Sequence, residues 1–474
     1  MAAADPGPHG ARPAGRAPMA AAIGRAVSGW REEDVSREAV DKVKTCLFDL
    51  IGCAFESRDL PWSGQARSVA AFARPGEGAT LFGEAAEVVP GDAAFANAVM
   101  GHGLVREDMH SGSISHLGIV VLPALLALVE TAPATGARFA AAVVAGYEVG
   151  GRFGRIAMDA EVAKIHRPTG VTGPVGAAAA GARLLGLSAE ETTMAIAVAA
   201  NAVAGFNQWA HTGGSEMWFE AGLAARNALT AVGLARAGAF ASPSALDGRA
   251  GLLAALGKAA PASGIALFDG PPEILSVYHK PVPACNFAQT PSQAALEIGR
   301  GAPFDPASIG AIRVRVPRAG KLYPGCDSVG PFEHVLQAKM SIQYNVAAAL
   351  LHGKVDERNF DRLDDPALAR LVGVTTLEID EGMTAAYPGL QGAAVEVRFR
   401  DGTLREARLR DVVNATVAEV RTRFRTSVTE ALGPGRAAEI EACIDSLITL
   451  PDAGAIARLL RTAAPARGNA AAAR

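Results

Sequence analysis

Residues 101–130 read GHGLVREDMHSGSISHLGIVVLPALLALVE. The stretch has two unlike halves. The first sets His102, Arg106, Glu107, Asp108, His110 and His116 among glycines and serines. The second, Ile119 to Glu130, is almost wholly apolar. It reads as a buried helix with Pro123 near its start, where a missing N–H costs little. Three of the nine histidines thus sit in one loop that enters a core helix. Binding and catalytic groups are often carried on loops held by a rigid element. The plainer reading is a solvated polar loop capping a helix.

Composition narrows the classes. The chain has 474 residues, half of them hydrophobic, a fifth charged and few aromatic. That length is too great for one simple core and predicts two or three domains, built mainly from Ala-rich helices. A net charge of −3 gives no basic face, so nucleic acid is not an expected partner. No apolar run reaches the roughly 18 residues needed to span a bilayer. Cys46, Cys53, Cys285, Cys326 and Cys443 are odd in number and scattered, without a CxxC pair. They suit reduced thiols in a cytoplasmic protein and speak against structural zinc. The N-terminal MAAADPGPHGARPAGRAPMAAA lacks the apolar core of a secretory signal. Residues 1–18 read as a disordered tail, and so does the C-terminal RTAAPARGNAAAAR.

Outward from the central stretch the pattern is helical. Val40, Val43, Cys46, Leu47 and Leu50 recur at helical spacing behind Asp34 and Ser36 as caps. Helices are also expected at 91–100 and 134–155, after the Gly173-Pro174 pair, and from Ser188, where Glu191 completes a capping box. After about residue 268 prolines cluster and strand signals appear, at 312–316 and 374–379. A hairpin of 394–400 with 404–409 turns through Asp401-Gly402. A helical piece spans 339–351, and helices return from 416.

Several chemistries can be set aside. The glycine runs fit neither a Walker A loop nor a dinucleotide fingerprint, and GxSxG is absent. His110 and His116 have metal-like spacing, with Asp108 able to complete a set, yet the same residues suit proton transfer, and no metal is expected. Lys280, in YHKPVPACNF, is stiffened by Pro281 and Pro283 and is placed to bind a carboxylate; its plain reading is a solvated lysine in a hinge. In QAKMSIQYNVAAALL, Ser341 and Tyr344 share a helix face; their plain reading is a capped core helix with a buried tyrosine.

The segments NAVMGHGLVREDMHSGSISHLGIVVLPALLAL, AGYEVGGRFGR, HRPTGVTGPVGAAAAGARLLGL, HKPVPACNF and KMSIQYNVAAALL together resemble the MmgE/PrpD family. Its best-known members are 2-methylcitrate dehydratase and cis-aconitate decarboxylase, and it includes iminodisuccinate epimerase. The resemblance spans roughly residues 20–465. It implies a mainly α fold: a large helical body, residues 19–270 plus 410–465, with an inserted smaller α+β lid at 271–409. It also implies a homodimer needing neither metal nor organic cofactor, and a lyase, a dehydratase or decarboxylase, working on a small di- or tricarboxylate by proton transfer next to a carboxylate. An epimerase on a small dicarboxylate, or a non-catalytic binding protein on the same scaffold, are the alternatives. No membrane partner is expected.

Residue by residue, the resemblance and side-chain chemistry point to His116, His166, Asp108, His102 and Tyr344 as catalytic. His116 leads, because imidazole titrates near neutrality. Lys280, His110, Ser341, Trp218 and Glu220 are the expected substrate contacts. The chain departs from the family pattern at Val105, Met109, Met217, Glu220, Ala288 and Gln289, which stand where aspartate, threonine, lysine, histidine and Thr-His are usual. A pocket without that lysine is less suited to a tricarboxylate.

Overall fold

The structure, a computed structural model, describes residues 17–74, 76–301 and 304–462. The expected tails at 1–18 and 461–474 lie almost wholly outside these residues. The fold is mainly α, as the sequence predicts. Ser36 caps the helix Arg37–Glu56, its Oγ accepting from the N–H of Ala39 at 3.2 Å. Ser188 and Glu191 form the capping box that opens Ala189–Asn201, and Thr416 with Glu419 opens Val417–Leu432 the same way. That late helix returns to pack on Arg37–Glu56, with Phe424 edge-on to Phe48 at 4.9 Å. One contiguous apolar core among the described residues runs from Met19 to Leu460.

Two prolines behave differently from expectation. The buried helix is Gly118–Thr131, so Pro123 sits inside it, and the helix after His166 is Pro168–Leu185, with Pro168 at its first turn and Pro174 inside. A proline forfeits one backbone bond in such a place. Both helices are nearly all buried, and their packing outweighs that loss. Small residues allow the packing: a Cβ on Gly176 would meet the carbonyl oxygen of Gly146 at 2.7 Å, so Gly136–Ala157 and Pro168–Leu185 approach backbone to backbone.

The later part carries a four-stranded sheet in the order Thr375–Ile379, Ile309–Val316, Ala393–Phe399, Leu404–Leu409. The first pair is parallel and the others antiparallel. Gly402, at φ +91°, takes the left-handed turn of the hairpin. The helix expected over 339–351 is broken at Ser341, which ends Val335–Met340 and caps Ile342–His352. A short strand also occurs inside the stretch read as a polar loop. Met109–His110 pairs antiparallel with Val277–Tyr278, so the polar loop is stitched to the chain just before Lys280.

Candidate active site

The helix Pro90–His102 delivers His102 at its last residue. The chain then turns sharply. Val105 adopts φ +57°, a left-handed conformation that is strained for a β-branched residue. Two fully buried lysines hold this turn. Lys280 Nζ donates to the carbonyl of Val105 at 2.5 Å and of Ala284 at 3.2 Å. Lys339 Nζ donates to the carbonyls of Leu104 (3.2 Å) and Pro283 (3.0 Å) and pairs with Glu357 at 2.6 Å.

The turn points Glu107 inward, between two imidazoles. Its Oε1 lies 2.6 Å from His102 Nδ1 and 2.8 Å from His116 Nδ1. The His116 Nδ1 is also 3.1 Å from the carbonyl of Asp108, and its backbone N–H donates to Thr169 Oγ1. Arg167 Nη2 donates to His102 Nε2 at 3.0 Å. An imidazole nitrogen that accepts from a guanidinium carries no proton, so the proton of His102 is on Nδ1 and is given to Glu107. The same logic at a shared carboxylate puts the proton of His116 on Nδ1. Among the described residues nothing hydrogen-bonds to His116 Nε2, and His116 lines a cavity.

Charge follows the geometry. Burial, with the Lys280 cation beside it, pushes His116 down to about 3, so its imidazole is neutral. Burial also lowers His102. Burial opposes the charge of Glu107, and the two imidazole donors outweigh it, holding the carboxyl well below its usual range. Burial brings Lys280 down to about 8 against the opposing pull of Glu107.

Arg167 was not singled out by sequence. It lies immediately before Pro168 in an extended conformation, its backbone N–H bound to Gly205. Its guanidinium sits 5.5 Å over Trp209 and 3.5 Å from Met217 Sδ, and reaches Tyr323 Oη at 3.4 Å. Its Nε has no hydrogen-bond partner and lies 3.8 Å from Glu220. The cavity beside it holds about 20 Å³, room for roughly one water. Its walls include Val105, His116, Arg167, Met217, Cys285, Tyr323 and Met340.

The remaining candidates are placed as follows. His102 and His116 come together, with ring centroids 5.1 Å apart. Asp108 turns its carboxyl away, to Tyr147 Oη at 2.6 Å, and burial raises it to about 6. His110 is not beside His116 but binds Glu273 at 2.6 Å and Ser113 at 2.7 Å. His166 is half-buried, packs on Phe206 at 5.7 Å and does not line the cavity, because its neighbour Arg167 points inward instead. Tyr344 donates to the carbonyl of Asn359 at 2.6 Å between Phe332 and Phe360, away from the cavity. Ser341 is the helix cap and donates to Ser328. These two match their plain reading. Trp218 stacks on Trp62 at 3.7 Å. Glu220 lies 3.8 Å from Arg167 Nε and accepts from the backbone of Phe206, and burial raises it to about 7. Lys280 is electrostatically coupled to His116 without entering the cavity wall.

His102, Glu107 and His116 present ligating atoms within 4.8 Å of one another. The set fits a metal poorly. Both Nδ1 protons are already committed to Glu107, and Arg167 and Lys280 would repel a dication. Asp108, His110 and His116, whose spacing would also have suited a metal, bind separate partners.

Residues 21–264 match the family model of the MmgE/PrpD N-terminal domain, and 282–447 that of the MmgE/PrpD C-terminal domain. The cis-aconitate decarboxylase-like protein oryM of Aspergillus oryzae is 27% identical over 472 residues, covering 92% of this chain and 95% of that protein. The cis-aconitate decarboxylase of Aspergillus terreus is 27% identical over 228 residues, covering 46% of each chain.

Proposed function

Because this chain belongs to the MmgE/PrpD family, we propose that it is a lyase acting on a small carboxylic acid by proton transfer at the carbon next to the carboxylate. Its similarity over nearly its whole length to a protein named as cis-aconitate decarboxylase-like supports the class. The observation that carries the reading is the shared carboxylate of Glu107. It holds His102 and His116 as neutral Nδ1–H tautomers and leaves His116 Nε2 free at the cavity. His116 is then the general base that takes the proton, or the acid that returns one. Glu107 stabilises the imidazolium formed in the step, as a buried carboxylate does for any base it orients. The negative charge that grows on the substrate lies near Arg167, with Lys280 behind the wall.

The single free imidazole favours a lyase over an epimerase. Inverting one carbon needs two acid–base groups on opposite faces. Among the described residues only one unpartnered imidazole nitrogen belongs to the cavity wall. The enzyme works without a metal and as a homodimer, as the family resemblance implies. No helix among the described residues is long and apolar enough to cross a membrane.

The test is proton NMR in D2O with a panel of small mono-, di- and tricarboxylates. The expected result is loss of the α-proton signal together with a new alkene signal or release of CO2, abolished by His116→Ala. Tight binding of a carboxylate with no exchange and no product for any member of the panel would refute the reading and favour a binding protein.

A further inference from the structure

We infer that this site recognises a single carboxylate, held by Arg167, on a molecule whose remaining part is uncharged and largely apolar. The inference rests on the lyase reading for its chemistry, but on separate observations for its substrate class.

The first observation is the state of Arg167. The side chain is buried, it lines the cavity, and its Nε–H has no partner. Its one good hydrogen bond goes to a neutral imidazole; the contact with Tyr323 is long. A buried guanidinium with an unused donor is incomplete without an acceptor, and a carboxylate completes it in a charge-assisted pair. The nearest acid, Glu220, stands 3.8 Å from Nε without a hydrogen bond to it, and burial raises it to about 7 against the pull of Arg167. It leaves the edge of Arg167 open to an outside anion.

The second is the charge count around the cavity. Arg167 and Lys280 are cationic, and Glu107 is anionic. Lys339 is paired with Glu357, and Arg106 with Glu56. With Glu220 in its protonated form, one positive charge is left over. Lys280 has its ammonium on the carbonyls of Val105 and Ala284 and is not in the cavity wall. Beyond Arg167 the lining offers a second or third carboxylate only neutral donors, the unpartnered Trp209 Nε1 and Tyr323 Oη, among Val105, Met109, Ile114, Met217 and Met340. Burying a further charge there is opposed by desolvation with no second cation to offset it.

The test is binding to the full-length protein by calorimetry, which does not require turnover. The probes are pentanoate, glutarate, tricarballylate and the uncharged pentanamide. Pentanoate should bind on the order of 10- to 100-fold more tightly than pentanamide or tricarballylate. Arg167→Gln should remove that margin, and Arg167→Lys should restore part of it by keeping the charge. A merely structural role for Arg167 would weaken all probes alike. Tighter binding of tricarballylate than of pentanoate by the wild-type protein overturns the inference, as does absence of pentanoate binding. The wild-type panel decides even where a variant does not fold. Exchange or turnover confined to polycarboxylates would overturn this inference while leaving the lyase reading intact; pentanoate binding without exchange of any carboxylate would do the reverse.

Discussion

Replacing Glu107 by glutamine probes the centre of the site with little change in shape. The glutamine oxygen can still accept from both imidazoles, but the charge that makes those bonds strong is gone. Hydrogen bonds to a charged group contribute about 1.5–3 kcal/mol, and neutral ones about 0.5–1.5. Two such bonds, at 2.6 and 2.8 Å, therefore lose together about 2–3 kcal/mol. The other carboxylate oxygen, Oε2, has no partner, so glutamine would also bury an unsatisfied NH2. His116 becomes an imidazolium only during the reaction, so the loss falls mainly on the transition state. The rate should drop on the order of 10²-fold, since about 1.4 kcal/mol is a factor of ten. Lys280 adds a second readout. The charge of Glu107 raises its pKa, so Glu107→Gln should move any alkaline limb governed by Lys280 below its position near 8. The assay is α-proton exchange across pH, paired with nitrogen NMR of the imidazoles, which reports tautomers without a substrate. The wild-type protein should show His102 and His116 protonated on Nδ1. The reasoning fails if either imidazole is protonated on Nε2 in the wild type, or if Glu107→Gln exchanges at the normal rate.

The two histidines beside glycine-rich turns should separate cleanly: His116→Ala should lower exchange on the order of 10²- to 10⁴-fold, whereas His166→Ala should leave kcat near normal in the same assay. Lys280 gives the pH dependence. Its ammonium form is the active one, and its pKa is depressed to about 8, so activity should fall as pH rises through that value. Lys280→Arg, whose charge persists at high pH, should carry the limb upward, and an activity flat to pH 10 in the wild type would discount the role. Finally, turnover should survive dialysis against EDTA, checked by elemental analysis; activity that tracks bound zinc or iron would reverse the assignment of His102, Glu107 and His116 as a hydrogen-bonded set.

Much of the fold could be read locally. Ser36, the Ser188–Glu191 box and the Asp401-Gly402 turn act through neighbours a few residues away, and such signals survive folding. Pro123 and Pro174 misled, because burial of a whole helix decides whether one missing bond is tolerated, and burial is a property of the fold. The site divides the same way. His102 and His116 were visible by type. Glu107 was not preferred over Asp108, since which of two adjacent acids faces inward depends on the left-handed turn at Val105. At 166–167 the chemistry of histidine drew attention from Arg167, although the residue before a proline is extended and sends consecutive side chains to opposite sides. Of the replaced positions, Val105, Met109 and Met217 line the cavity, and Glu220, Ala288 and Gln289 do not.

The two buried lysines have a consequence for kinetics. Their ammonium groups end on the carbonyls of Leu104 and Val105, beside a space that admits about one water. A substrate can enter only if that turn or the wall facing it moves. When the turn moves, each ammonium keeps an acceptor outside it, Ala284 for Lys280 and Pro283 with Glu357 for Lys339, so opening costs one bond per lysine and strands neither charge. Admission then depends on how much of the protein is open. A molecule binds only the open fraction, and the apparent dissociation constant is the intrinsic one divided by that fraction. Affinity for substrate can thus be changed without touching substrate. Weakening the Lys339–Glu357 pair, on the far side of the turn, should tighten apparent binding and speed association while leaving the chemical step alone.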